Sequence, residues 1–154
     1  MAATLLDAAD ADVVWQPIHA TGREYDDVPA HIADAATEAH ECRSINACRA
    51  AVLLARSVIE ATAKDKGIVT GNLKAKIDEM FAKGLVRDLV KDAAHEIRFI
   101  GNETAHGDFI ASITAEETDE VLELMTEVLE EVYQAPARLA ARRAARQART
   151  QSGP

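Results

Sequence analysis

Apolar positions recur every three to four residues along most of the chain, which is the spacing of one face of an α-helix. Five segments between residues 29 and 134 carry this pattern, and short stretches containing glycine, asparagine or serine separate them. The chain is rich in alanine and holds only seven glycines and four prolines, a composition that favours helices over a sheet. The pattern therefore predicts an all-α bundle of about five helices.

The first two segments predict a helix from about Pro29, a break or kink near Ser44, and a second helix that stops at Gly67. Asp26 or Asp27 is expected to cap the first helix, because its side-chain oxygen can accept from free backbone N–H groups. The second helix is the most apolar of the five. We therefore expect it to lie at the centre of the bundle.

The third segment predicts a short helix, and a fourth helix follows it. Asn72 is predicted to cap the third helix, and Gly84 to end it. The fourth is expected from about Leu85, with Gly101 and Asn102 weakening or ending it. The expected buried stripes are Leu73, Ile77, Met80 and Phe81 in the third helix, and Leu85, Leu89, Ala93, Ile97 and Ile100 in the fourth.

The fifth segment has the strongest helix signal. Thr114 and Glu117 have the spacing of a capping box, and the expected stripe contains Val121, Leu124, Met125, Val128, Leu129 and Val132. Pro136 is predicted to mark a boundary, beyond which an Ala/Arg-rich helix is expected to fray into disorder. The chain is thus divided into an irregular arm (1–28) anchored by Trp15 and Tyr25, a bundle (29–137) and a basic tail (138–154).

Size and composition narrow the class of protein. The length of 154 residues fits one domain, and 48% hydrophobic residues with only 4% aromatics predict an aliphatic core. No apolar run reaches the roughly 18 residues of a membrane span, and the acidic N-terminus does not resemble a signal peptide. A cytoplasmic protein without membrane contact is expected. Cys42 and Cys48 are predicted to be free thiols, because six residues along a helix point them to different sides.

Charge is distributed unevenly. Residues 1–134 hold 12 Lys and Arg against 26 Asp and Glu, whereas residues 135–154 hold five Arg and no acid. An acidic body does not attract nucleic acid by its bulk charge. Two interpretations of the basic segment stay open: nonspecific contact with nucleic acid, or a solubilising tail that offsets the acidic body. Its arginines are Arg138, Arg142, Arg143, Arg146 and Arg149.

The stretch "HEIRFIGNETAHGDF", residues 95–109, places Arg98, Asn102 and His106 four residues apart, on a shared helical face. An arginine offers fixed donors to phosphate oxygens, an asparagine adds a neutral donor and acceptor, and a histidine exchanges a proton near neutral pH. The three are the predicted catalytic residues of a site that handles a phosphate without metal or cofactor. Structural alternatives remain: an ion pair for Arg98, a turn role for Asn102, and an interhelical hydrogen bond for His106.

Four stretches occur in an order that resembles the uncharacterised domain-of-unknown-function family 4145: "AAVLLARSVIEATAKDKG", "NLKAKIDEMFAKGLV", "AHEIRFIGNETAHGD" and "TAEETDEVLELMTEVLEEVY". The densest part is "IRFIGNETAH". That family is similar to the HEPN group (higher eukaryote and prokaryote nucleotide-binding domains), four- to five-helix bundles that are usually dimers. Many of these are metal-independent ribonucleases of toxin or defence systems, and others are non-catalytic dimerisation or binding modules.

The resemblance implies that Arg98 and His106 correspond to the arginine and histidine of the ribonucleolytic members. It also implies a homodimer, with RNA or a defence-system protein as the partner. This chain departs from the active pattern in two places. Seven residues separate Arg98 from His106 instead of four to six, and Phe99 stands where a polar residue usually follows the arginine.

Overall fold

The computed structural model describes residues 19–106 and 112–151. Within these ranges the chain is helical, with no strand, which confirms the all-α prediction. The elements are α1 (Ala30–Ser44), α2 (Cys48–Asp65), α3 (Leu73–Ala82), α4 (Asp88–His106), α5 (Ala115–Leu129), a π-helical turn (Glu130–Gln134) and α6 (Ala135–Gln151). Because α5, the π-turn and α6 follow one another without interruption, the helices form five rods.

The core lies around α2, which packs against α1, α3, α4 and α5. Its fully buried positions include Val52, Ala55 and Ile59. Together with Ile97 of α4 and Met125 of α5, they belong to one hydrophobic cluster. The predicted central place of the second helix is confirmed, and the core is aliphatic as the composition indicated.

The first helix begins and ends near the predicted residues, but its cap is different. The N-cap position is Pro29, and no side chain caps the helix there, so the predicted capping by Asp26 or Asp27 is wrong. Asp27 instead adopts a left-handed backbone conformation with φ of 61°. At the other end Asn46, with φ of 63°, turns the chain between α1 and α2.

Helix α3 is capped as predicted, since the Asn72 side chain accepts a hydrogen bond from the Ala75 N–H at 2.9 Å. Two residues of the expected stripes are nevertheless exposed. Phe81 is 41% exposed, with the Lys91 ammonium 4.5 Å from its ring centre, and Leu89 is 70% exposed. Helix α4 starts three residues later than expected, at Asp88. Its apolar face contains Val90, Ala93, Ala94 and Ile97.

The capping box predicted for α5 is present, with both hydrogen bonds between Thr114 and Glu117 formed. Pro136 does not interrupt the rod. It is the second residue of α6 and follows directly after the π-turn. Helix α6 is regular through Gln151, so the predicted fraying is not observed within residues 135–151. None of its residues is buried.

Residues 19–29 are irregular, as expected, and Tyr25 anchors them. The Tyr25 side chain is 6% exposed, and its hydroxyl lies 2.8 Å from His40 Nε2 and 2.8 Å from Thr126 Oγ1. Trp15, the other predicted anchor, lies outside the described residues. None of the helices in the described part of the chain has the length and apolar composition needed to cross a bilayer. Cys42 is partly buried, Cys48 is buried, and both are free thiols, as predicted.

Candidate functional site

Helix α4 carries all three predicted catalytic residues, and it is continuous through His106. The predicted break at Gly101 and Asn102 is therefore wrong. Because each residue advances a helix by about 100°, the side chains of Arg98, Asn102 and His106 are offset by about 40° from one to the next. They share one side of α4. Eight residues of rise separate Arg98 from His106 by about 12 Å along the helix axis.

Gly101 is explained by packing rather than by a turn. It is buried in α4, against the side chain of Arg56 from α2. A Cβ atom at this position would lie 2.6 Å from Arg56 Cδ and 2.9 Å from Arg56 Cβ, which is closer than real contacts allow. Glycine thus permits α2 and α4 to approach each other beside the candidate site.

Asn102 is held by the same arginine. Arg56 Nε donates to Asn102 Oδ1 at 3.0 Å, and Arg56 also lies 3.9 Å from Glu60 Oε2. This bond fixes the orientation of the amide group, whose NH₂ then remains as a donor. Sequence reasoning missed Arg56. The available signal was the polar series Arg56, Glu60 and Lys64, spaced by four residues within the most apolar helix.

Arg98 is partly buried, and its guanidinium lies 4.0 Å from the centre of the Phe99 ring. Its Nε approaches His95 Nδ1 at 3.4 Å. Within residues 19–106 and 112–151 no carboxylate lies within ion-pair distance of Arg98, whereas the nearby Lys64, Lys74, Lys76 and Lys91 each reach one. The Phe99 ring and the His95 imidazole therefore hold the Arg98 guanidinium in place. Its positive charge has no carboxylate partner in the described chain.

The two histidines of α4 differ in their surroundings. His95 is 16% exposed, and its Nε2 lies 2.8 Å from Asp78 Oδ1 of α3, so it bridges two helices. His106 is the last residue of α4 and is exposed. In the part of the chain that the structure describes, no hydrogen bond or ion pair joins Arg98, Asn102 and His106 to one another. The structure thus places them on one side of α4 without bringing them into contact.

Around these residues, two hydrogen-bonded clusters cover parts of α2, α3 and α4. One contains Arg56, Glu60, Lys64, Lys76 and Asn102, and the other contains Lys74, Asp78, His95 and Arg98. Lys76, only 5% exposed, donates to Glu60 at 2.9 Å, and Lys64 lies 3.1 Å from the same oxygen. The hydrogen bonds from Lys76 and Lys64 hold the pKa of Glu60 below its usual value. Those from Lys74 and then His95 lower the pKa of Asp78 in the same way. We call this set the polar network: Arg56, Glu60, Lys64, Lys74, Lys76, Asp78, His95, Arg98 and Asn102.

The polar network is locally basic on a protein that is acidic overall. Its members include three lysines and two arginines against two carboxylates. A local excess of positive charge attracts phosphate groups even when the whole molecule is acidic. No group of three His, Cys, Asp or Glu side chains with metal-binding geometry occurs in residues 19–106 and 112–151.

The predicted nucleic-acid contacts lie far along the chain from this network, on α6. Arg138, Arg142, Arg143, Arg146 and Arg149 are all exposed there. Arg138 forms an ion pair with Glu130 of the π-turn. The hydrogen bond between them raises the pKa of Arg138 and lowers that of Glu130.

The sequence profile described as "Domain of unknown function (DUF4145)" matches residues 37–148, which is more than half of the chain. The chain belongs to this family. The matched region extends from within α1 to near the end of α6 and contains every member of the polar network. No curated protein and no solved structure gives a significant match.

Proposed function

We propose that this family member is a HEPN-like RNA-binding protein of toxin or defence type, which cleaves RNA without a metal ion. The observation that carries the proposal is the state of Arg98. The Arg98 guanidinium is partly buried, stacked on the Phe99 ring and oriented by His95. It has no carboxylate partner in the described chain, so it is suited to bind an anion. The basic polar network around it favours a phosphate over a carboxylate.

Each residue is assigned a separate role. Arg98 contacts the oxygens of the scissile phosphate, and Asn102, held by Arg56, donates its amide N–H to the substrate. His106 exchanges the proton. In the reaction the ribose 2′-hydroxyl attacks the adjacent phosphorus and the bond to the 5′ oxygen breaks, giving a 2′,3′-cyclic phosphate and a 5′-hydroxyl. One base removes the 2′ proton and one acid protonates the leaving oxygen.

The distance between Arg98 and His106 argues against cleavage by a single copy. The roughly 12 Å of helix between Arg98 and His106 is long for two groups that act on one phosphate. The reaction also needs one acid and one base, and each chain offers one exposed imidazole at this end of α4. Two protomers lining one cleft would supply both groups. We therefore assign cleavage to a dimer.

A test separates binding from cleavage. Purified protein is incubated with a fluorescent RNA in the presence of a chelator, and anisotropy and product length are measured. We expect His106→Ala to retain binding and abolish cleavage. Arg98→Ala should weaken binding about tenfold or more, because a hydrogen bond to a charged group contributes about 1.5–3 kcal/mol. A substrate with a 2′-deoxyribose at the cleavage position should bind and remain intact.

The matched control is His31→Ala, since His31 is an exposed histidine on α1, outside the polar network. It should bind and cleave like the unmodified chain. If the unmodified chain and His106→Ala cut RNA equally, the activity does not come from this site. If neither cuts and Arg98→Ala binds RNA like the unmodified chain, the proposal is wrong at both steps.

One observation favours a second candidate, a non-catalytic dimerisation or partner-binding module of a restriction or defence system. Asn102 already accepts from Arg56 beside the tightly packed Gly101, which is what a purely structural role requires. In that case Asn102→Ala should destabilise the fold by about 0.5–1.5 kcal/mol. Arg98→Ala should leave RNA binding unchanged. Urea unfolding and the anisotropy assay together distinguish the two candidates.

A further inference from the structure

Two aromatic rings at the protein surface border the polar network. Phe81, in the last turn of α3, is 41% exposed, and Phe99 of α4 is 50% exposed. Aromatic residues make up only 4% of the chain, and the two tyrosines, Tyr25 and Tyr133, are both buried. Exposure of a single apolar side chain is ordinary in a globular protein. Two exposed rings at the border of one basic network are instead candidates for contact with a ligand.

Both rings lie beside the same side of α4. The Lys91 ammonium lies 4.5 Å from the centre of the Phe81 ring. Lys91, His95 and Phe99 follow one another at intervals of four residues, so they share one side of the helix. Between the two rings, His95 is bonded to Asp78 of α3. The helix rises by about 12 Å from Lys91 to Phe99, so the rings are separated by about two helical turns.

The two rings differ in the charge beside them. Lys91, next to Phe81, is paired with Asp88, whose carboxylate lies 2.7 Å from the ammonium. The Arg98 guanidinium lies 4.0 Å from the centre of the Phe99 ring, and it has no carboxylate partner among the residues that the structure describes. The Phe99 side chain is 50% exposed with Arg98 in place. A phosphate is therefore attracted next to Phe99, and the uncovered part of that ring is left for the group attached to the phosphate.

We propose that Phe99 and Phe81 bind two nucleobases of the RNA by stacking, while Arg98 binds a phosphate next to the first base. The inference rests on the proposed function, because it adds base contacts to the same site. Aromatic side chains beside cationic groups are a favourable surface for bases. Adjacent bases of a stacked strand lie only about 3.4 Å apart, so two rings about 12 Å apart require bases that are turned away from each other.

The stacking role explains why a phenylalanine suits position 99. Phe99 stands directly after Arg98, where the ribonucleolytic HEPN pattern usually has a polar residue. A polar side chain there would add a hydrogen bond to the site, whereas a phenyl ring adds none. The ring instead offers a flat apolar face that any base can cover, because stacking needs no base-specific hydrogen bond. Recognition at these two positions should depend on the presence of a base and little on its identity.

Charge on the far side of Phe99 restricts the path of the strand. Asp92, Glu96 and Glu103 are exposed on α4. At about 100° per residue, they lie beyond Phe99 on the side away from Arg98. These carboxylates repel phosphates, so the sugar–phosphate backbone is confined to the Arg98 side, where the other two predicted catalytic residues of α4 also lie. Phe99 thus marks the boundary between the path of the phosphates and an acidic surface.

Two ligands test the base contacts: a short fluorescent RNA, and a strand with the same number of phosphates that carries no bases. Binding is measured by anisotropy on His106→Ala protein, so that cleavage does not interfere. We expect the RNA to bind more tightly than the base-free strand, by about 5- to 150-fold for each stacked base. Phe99→Leu with Phe81→Leu removes the aromatic faces and keeps apolar side chains. This double variant should bind both ligands equally.

A purely structural role of the rings predicts a different result. If Phe99 served only to hold Arg98, the double variant would also lose affinity for the base-free strand, as Arg98→Ala is expected to do. Under the proposal, the double variant keeps that affinity, and Phe99→Trp keeps the preference for RNA. Ile45→Ala is the matched control, because Ile45 is also 50% exposed and lies between α1 and α2, outside the polar network. It should leave both affinities unchanged.

Three results would overturn the proposal: a double variant that still prefers RNA, a double variant that binds the base-free strand more weakly, or His106→Ala protein that does not distinguish the two ligands. In each case, weaker binding by Arg98→Ala would leave the proposed function intact. If neither ligand binds even the unmodified chain, both proposals are wrong. If the double variant binds RNA normally but sediments with a lower mass, the rings form a contact between protein copies instead. Circular dichroism checks that every variant is folded.

Discussion

At the scale of single residues, Gly101 was correctly identified from the sequence as a special position, but the reason predicted for it was wrong. A glycine followed by asparagine indicated a helix end, and the chain instead continues as α4 to His106. The glycine is needed because the Arg56 side chain lies where a Cβ atom would stand. Sequence spacing contains no information on which residue of another helix approaches that position.

Gly101→Ala is expected to destabilise the protein. Overpacking costs about 1–3 kcal/mol, and the better helix propensity of alanine offsets about 1 kcal/mol of that cost. A net loss of up to about 2 kcal/mol in the free energy of unfolding should be measured by urea denaturation. Adding Arg56→Ala should make the double variant less destabilised than the sum of the single changes. A more stable Gly101→Ala protein would contradict the packing explanation.

At the scale of elements, the sequence predicted the presence and type of each helix better than it predicted which helical residues are exposed. Caps at Asn72 and at Thr114 with Glu117 are local patterns, and both are present. The exposed faces of α3 and α4 were less predictable. Leu89 and Phe81 fit an apolar stripe by spacing, yet both side chains are exposed in the structure. Periodicity fixes which residues share a face, whereas the arrangement of the other helices fixes which face is covered.

Helix α6 provides a prediction at this scale, because none of its residues is buried. Removing residues 138–154 should change the free energy of unfolding by less than about 1 kcal/mol, since it removes exposed side chains and one surface ion pair. Urea unfolding measures this change. Ending the chain at Leu129 is the control. It removes the buried Val132 and Tyr133 and should cost several kcal/mol.

At the scale of the whole molecule, the irregular N-terminal segment joins α1 and α5 through Tyr25, His40 and Thr126. Burial, followed by the nearby charge of Arg23, lowers the pKa of His40 from 6.5, and Asp119 opposes this shift. The folded state therefore binds fewer protons at this site than the unfolded chain does. Its contribution to stability is complete above the unfolded pKa and is lost as the pH falls from about 6.5 towards the lower folded pKa.

Stability should accordingly decrease between about pH 7 and pH 5, before the lowered carboxyl pKa values of Glu60, Asp78 and Glu130 become relevant at more acidic pH. His40→Gln keeps a polar partner for Tyr25 without titrating, and it should flatten this part of the curve. His31→Gln, at an exposed position, should not. Urea midpoints at a series of pH values measure the effect. Equal slopes in His40→Gln and the unmodified chain would contradict it.

The sequence by itself determined the helical class, most helix boundaries, the central place of α2, the family and the shared face of Arg98, Asn102 and His106. These features depend on local periodicity, capping chemistry and residue order, which are written along the chain. The tertiary structure decided the continuity of α4 through Gly101, the hydrogen bond from Arg56 to Asn102, the lack of an ion-pair partner for Arg98 in the described chain and the absence of buried residues in α6. Those features depend on which surfaces of distant segments meet, and that is settled only when the helices pack.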